Sequence, residues 1–152
     1  MAWIRIDNRL IHGQVIETWI PYTNAKHLLV VNDDFAEDVL RQQIATLAIP
    51  GRISVDFIHI PEIMPYAQSN NLQDTLIILA DCVDAKRIHD EGFSFESINI
   101  GNLHYAPGKK QLCDHIAISD YDEKCLKFFA NHEINLDFRC VPNQPLQIKG
   151  LL

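Results

Sequence analysis

The run "HLLVVN" (residues 27–32) sets four apolar residues side by side with no polar residue between them. A strand with one wet face alternates apolar and polar residues. A strand that does not alternate has both faces covered. "TLIILA" (75–80) repeats the pattern. Strands covered on both faces belong to parallel sheets flanked by helices, so the segments around them are expected to be helical crossovers.

The neighbouring sequence fits that expectation. "AWIRI" (2–6) reads as a short first strand, "ISVDFIHI" (53–60) as a third and "SINIG" (97–101) as a fifth, with "KQLCDHIAI" (110–118) as a sixth. Between them, "GQVIETWI" (13–20) spaces Val15, Ile16, Trp19 and Ile20 as a helix does, with Pro21 as its stop. "FAEDVLRQQIATLAI" (35–49) carries Val39, Leu40, Ile44 and Leu47 on one helical face, and Asp34 with Glu37 resembles a capping box. "PEIMPYAQS" (61–69) predicts a short helix with Pro61 in its first turn, and "DCVDAKRIHDEG" (81–92) one ended by Gly92. A last helix is expected to open at Ser119, with Leu126, Phe129 and Ala130 on one face.

"INLDFRCV" (134–141) differs, because Ile134, Leu136, Phe138 and Cys140 alternate strictly with Asn135, Asp137 and Arg139. That period of two marks a half-exposed strand near a sheet edge. The fold expected is α/β: an open, mostly parallel sheet with helices on both faces and an antiparallel strand near the C-terminal edge. No repeat or linker interrupts the 152 residues, so a single domain over 1–152 is expected.

A formal charge of −7 disfavours a nucleic-acid partner, which would need a basic surface. No segment approaches the ~20 apolar residues of a membrane helix, and no basic leader precedes an apolar block. Cys82, Cys113, Cys125 and Cys140 lie far apart without a Cys-x-x-Cys pair. They read as reduced, buried residues of a cytoplasmic protein.

Ligands of open α/β sheets gather beyond the carboxyl ends of the strands. "RIDNRLIHGQV" (5–15) occupies that place after the first strand. His12 can act as a nucleophile near neutral pH, Arg9 can receive a phosphoryl group, and the helix starting at Gly13 offers unpaired backbone N–H groups. Neither Gly-x-x-x-x-Gly-Lys nor Gly-x-Gly-x-x-Gly is present, which removes the simplest nucleotide readings. The same residues equally suit a polar turn whose arginine pairs with Asp7.

"IRIDNRLIHGQVIETWI" closely resembles the signature of the enzyme IIB component of the mannose/fructose/sorbose family of the bacterial sugar phosphotransferase system. "LLVVNDDFAED", "INIGNLHYAPGKKQL" and "FRCVPNQP" extend the likeness across the chain. The resemblance implies a phosphocarrier: His12 would accept a phosphoryl group from a phosphohistidine on a IIA partner. It would then pass the group to a hexose or amino-hexose during uptake through membrane IIC and IID components. In this reading Arg9 stabilises the transferring charge, and Asp7, Asn8, Leu10, Ile11, Gly13 and Gln14 form the phosphate-binding loop. Asn32, Asp33, Gly101, Asn102 and His104 are candidates to border the site. Asn102 and Asn8 depart from the family's pattern, which has a glycine and an aspartate there.

The resemblance further implies a cytoplasmic protein peripherally associated with its membrane transporter, allows a homodimer, and calls for neither cofactor nor metal. Two alternatives use the same loop: a regulatory phosphoprotein signalling through phospho-His12 without transport, and a family member that binds partners without catalysis. Asp33-Asp34 could be the acidic pocket of a receiver domain or a helix-capping turn. His27, His59, His89 and His132 read as surface or packing residues.

Overall fold

The structure is a computed structural model and describes residues 2–143. Strands β1 (Trp3–Asp7), β2 (His27–Val31), β3 (Ser54–Ile58), β4 (Thr75–Leu79), β5 (Ser97–Asn102) and β8 (Asn135–Asp137) form one sheet in the order β3-β2-β4-β1-β5-β8. Every pairing in it is parallel. The α/β class and mostly parallel sheet are thus as expected. The unbroken apolar run of β4 is buried at all five positions, as two-sided coverage requires.

Each face of the sheet has its own core. On one, Leu28, Val30, Leu76 and Ile78 pack against Val15, Trp19 and Ile20 of helix α1 (15–23) and Phe35 of α2 (Asp33–Ala36). On the other, Ile4, Ile6, Leu29, Ile77 and Ile100 pack against α4 (Ile63–Ser69), α5 (Cys82–Asp90) and α6 (Asp120–Asn131). Each fully buried Leu or Ile side chain contributes roughly 1.5–3 kcal/mol, so the two cores supply most of the driving force. Ser119 caps α6 reciprocally with Asp122, and Gly92 ends the α5 turn at φ 100°.

Several expectations need correction. The last strand, expected to be antiparallel, lies at the sheet edge but runs parallel to β5, with Ile98 opposite Leu136. Alternation reports one wet face and carries no information on direction. The antiparallel pairing is found instead within 110–118, where β6 (Lys110–Cys113) folds back on β7 (Ile116–Ile118) as a separate two-stranded sheet.

Pro21 does not stop α1. The helix opens as a widened π-helical turn, Val15–Trp19, in which the Ile20 N–H donates to the Val15 carbonyl, and continues as Ile20–Thr23. Widening changes which carbonyls need donors, so the missing proline N–H is accommodated. Asn24, at φ 53°, ends it.

The 35–49 helix is two pieces, α2 and α3 (Val39–Leu47), broken at Asp38, whose side chain accepts from the Arg41 N–H. Asn32 rather than Asp34 caps α2, accepting from the Phe35 N–H at 2.9 Å. Val39, Leu40, Ile44 and Leu47 face solvent rather than core.

Candidate functional site

β1 is flanked by β4 and β5 in the middle of the sheet. Its alternation puts Ile4 and Ile6 on the α5/α6 face, and Arg5 and Asp7 on the face covered by α1. The β1–β5 register shifts between Ile6 and Asp7, so that Asp7 lies opposite Asn102. Bulges of this kind re-aim a side chain where a strand ends.

Asp7 is fully buried and collects three partners. Its Oδ2 lies 2.7 Å from His12 Nε2 and accepts from Arg5 Nη2 at 2.9 Å. Its Oδ1 accepts from the Arg9 backbone N–H at 3.0 Å and from Arg9 Nε at 3.4 Å. Burial alone would push the Asp7 carboxyl up, but the His12 hydrogen bond, the Arg5 charge and the Arg9 N–H together hold it below its ordinary value. The group at the centre of the site is therefore a carboxylate.

Arg5 is just as deeply buried, and burial pulls its guanidinium below the ordinary value. It lies over the Trp19 ring, 4.9 Å from the centroid, and donates through Nη1 to Asn99 Oδ1 at 2.7 Å. Asn99 in turn donates to the carbonyls of Asp137 and Arg139 at 3.1 and 2.9 Å. Gly101 makes room for this arrangement, because a Cβ there would overlap the guanidinium. A buried charge is tolerable only when paired and hydrogen-bonded in this way.

The loop after Asp7 is fixed from several sides. The Leu10 N–H closes a turn onto the Asp7 carbonyl at 2.9 Å, with Leu10 in a left-handed conformation, φ 59°. Its side chain is buried in the α1-side core, which offsets a backbone strain of about 1 kcal/mol. Ile11 packs at the margin of the same core. Asn8 Nδ2 donates to the Ala80 carbonyl at 2.7 Å, while Asn8 Oδ1 accepts from the His104 N–H at 2.6 Å. One side chain thereby ties the ends of three strands together.

Arg9 is partly exposed and donates to Gln14 Oε1 at 3.2 Å, which also accepts from Cys140 Sγ at 3.4 Å. His12 is 14% exposed. Its Nδ1 makes no hydrogen bond among the described residues, and α1 begins directly behind it, with the Ile16 N–H on the His12 carbonyl at 3.1 Å. Gly13 has nothing within 4 Å of where a Cβ would stand, so space remains on that side.

The structure thus brings Asp7, Asn8, Arg9, Leu10, Ile11, His12, Gly13 and Gln14 together at the carboxyl end of β1. Gly101 packs on Arg5, Asn102 accepts the Asn8 N–H through its carbonyl at 3.2 Å, and His104 meets the loop through its backbone. Asn32 and Asp33 are not brought to His12. They lie beyond β4 in another network, in which Asn32 donates to Asp84 Oδ2 at 2.8 Å and Arg87 donates to Asp33 Oδ2, also at 2.8 Å. Burial pushes the Asp84 carboxyl up to about 6, further raised by Asp81 and opposed by the Asn32 hydrogen bond. Sequence reasoning missed Asn99 and Cys140 and left Arg5 as a strand residue. A cation inside a central strand does signal a buried partner, but the partner lies 94 residues away.

Comparison with known proteins places these residues in context. The family model described as "PTS system sorbose subfamily IIB component" matches residues 1–149. The sorbose-specific EIIB component of Klebsiella pneumoniae is 28% identical over 143 residues, covering 93% of this chain and 87% of that one. The mannose-specific EIIAB component of Escherichia coli (strain K12) is 26% identical over 143 residues, and this chain spans 44% of its length. A crystal structure of a PTS-dependent N-acetyl-galactosamine IIB component from Streptococcus pyogenes superposes with a TM-score of 0.86 at 29% identity, over 92% of this chain and 87% of that one.

Proposed function

Because the chain belongs to the sorbose subfamily of IIB components, phosphotransferases of sugar uptake, we propose that it carries the phosphoryl group on His12 Nδ1. One observation carries this reading: His12 Nε2 is held 2.7 Å from a buried carboxylate. An ionised Asp7 can only accept, so the neutral ring keeps its proton on Nε2 and its lone pair on Nδ1.

In the forward step that lone pair attacks phosphorus of a phosphohistidine on a IIA partner. The new N–P bond forms as the donor's N–P bond breaks. Positive charge grows on the His12 ring, and Asp7 stabilises it through Nε2–H. Arg9 meets the charge on the equatorial oxygens, and the backbone N–H groups at Gly13 and Gln14 lie at the positive end of α1. Such transfer depends chiefly on positioning, and the Arg5–Asn99 support of Asp7 provides it. In the second step a hydroxyl of a hexose or amino-hexose, delivered by membrane IIC and IID components, attacks phosphorus: the O–P bond forms as the N–P bond breaks, the electron pair returns to His12 Nδ1, and the hydroxyl proton is lost to solvent.

The fusion of a IIA part with a matching part in the mannose-specific relative supports a IIA partner. Membership of the IIB family supports membrane partners that supply the sugar path, and among the described residues no helix is long and apolar enough to cross a membrane. We place the protein in the cytoplasm, docked on that transporter, with no part for nucleic acid and with a homodimer compatible.

The test is incubation of the full chain with a phosphorylated IIA protein, followed by mass spectrometry and 15N-resolved NMR of the product. Acid-labile phosphate on His12 Nδ1, lost in His12→Ala and kept in Asp33→Ala, is the expected result. Phosphate on another residue, or on Nε2 of His12, would overturn the proposal.

A further inference from the structure

A cavity of about 560 Å³ opens at the amino ends of β2, β3 and β4, the end of the sheet opposite His12. Its floor is apolar: Ile20 and Pro21 from the last turn of α1, with Ala25 and Ile53. Its rim is polar and carries Lys26, Arg52, Asn24 and Asp74. In a chain of charge −7 this rim carries two cations against one carboxylate. Arg52 has no ion pair among the described residues, and Lys26 is paired only loosely with Asp74, at 3.9 Å.

The rim is also pre-shaped. Asn24 and Asp74 both hold left-handed backbone conformations, φ 53° and 59°. The Asp74 carbonyl accepts from the N–H groups of Lys26 and His27 at 2.8 and 3.3 Å, and the Lys26 carbonyl accepts from the Ser54 N–H at 3.1 Å. The three loops are thus tied to one another around the opening, so a ligand would not have to order them.

We propose that this cavity is a second ligand site, for a phosphorylated sugar. Arg52 and Lys26 suit a phosphate dianion. The Asp74 carboxylate and the Asn24 amide suit hydroxyl groups, and the floor of Ile20, Pro21, Ala25 and Ile53 suits the C–H face of a sugar ring. Inorganic phosphate would leave most of the volume empty. A nucleotide would need a stacking surface, and no aromatic side chain lines the cavity. The proposal does not depend on phosphorylation of His12.

The test is an amide NMR titration of the unphosphorylated full chain with mannose 6-phosphate, mannose and inorganic phosphate. Mannose 6-phosphate is expected to shift Asn24, Lys26, Arg52 and Asp74 and to saturate. Mannose or phosphate alone is expected to bind roughly five-fold or more weakly, and Arg52→Gln or Lys26→Gln to weaken mannose 6-phosphate by roughly five-fold each. His12→Ala is expected to bind as the wild type does, which separates this site from the phosphoryl loop. Shifts confined to residues 7–14, no saturable shift at the rim, or equal affinity for inorganic phosphate would each overturn the proposal.

Discussion

Replacing Gly101 by alanine tests whether Arg5 is locked where the structure has it. An added Cβ would fall inside van der Waals contact of Arg5 Nη1 and Cζ, and the guanidinium cannot simply move aside. It is buried, covered by Trp19, and held by Asp7 and Asn99. Overpacking by one methyl costs roughly 1–3 kcal/mol, and breaking a buried charge pair costs roughly 3–5 kcal/mol. With partial relaxation we expect a loss of about 3 kcal/mol. For a chain of this length that lowers Tm by roughly 6–12 °C.

Urea unfolding followed by circular dichroism reads the change, with Gly13→Ala as the matched control. Nothing lies near its new methyl, so its stability should stay within about 0.5 kcal/mol of the wild type. In an Arg5→Ala background the Gly101→Ala change should cost under about 1 kcal/mol, because the clash has been removed. A Gly101→Ala protein as stable as the wild type, or one whose loss persists undiminished without Arg5, would refute the reasoning.

Two further outcomes follow from the buried carboxylates. Asp7→Asn keeps the shape of the hub but removes the charge that fixes the His12 tautomer, so phosphoryl acceptance from a IIA partner should slow roughly 100-fold or more, normalised to the folded fraction. An unchanged rate would remove Asp7 from the mechanism. Asp84, raised to about 6, favours its protonated form in the folded state, so its ionisation costs stability as pH climbs from about 4 to about 6. Asp84→Asn should therefore flatten that part of the stability profile and gain on the order of 1–2 kcal/mol above pH 6, measured by urea unfolding across pH. A variant with the wild-type slope would contradict this.

What could be read beforehand divides by range along the chain. β4 and β2 were legible because burial on both faces forces an unbroken apolar run. The β6–β7 hairpin was not, since Asp114-His115 turns the chain without the glycine that usually marks a two-residue turn. The direction of β8 is decided by the crossover through α6, not by its own residues. At the site, the loop from Asp7 to Gln14 was legible as a contiguous set of chemical groups. Arg5, Asn99 and Cys140 were not, because their meaning lies in contacts across 94 and 126 positions. The apolar stripe of α3 was visible as a stripe, but a stripe does not say whether anything in the same chain covers it, and here Val39, Leu40, Ile44 and Leu47 are exposed.

β1, the first strand of the sheet in chain order, is thus among the last to be enclosed. β1 needs β4 on one side and β5 on the other, and Arg5 Nη1 waits for Asn99 and then for the carbonyl of Arg139 as its partners. Until nearly the whole domain has emerged, the nascent chain holds an arginine and an aspartate with only each other and water for company. The loop from Asp7 to Gln14 therefore depends for its final geometry on contacts that are distant in the chain, and such contacts close slowly. A chain cut short before β5 would keep every residue from Asp7 to Gln14 and yet lack Asn99 and Gly101, the scaffold that seats Arg5 against Asp7.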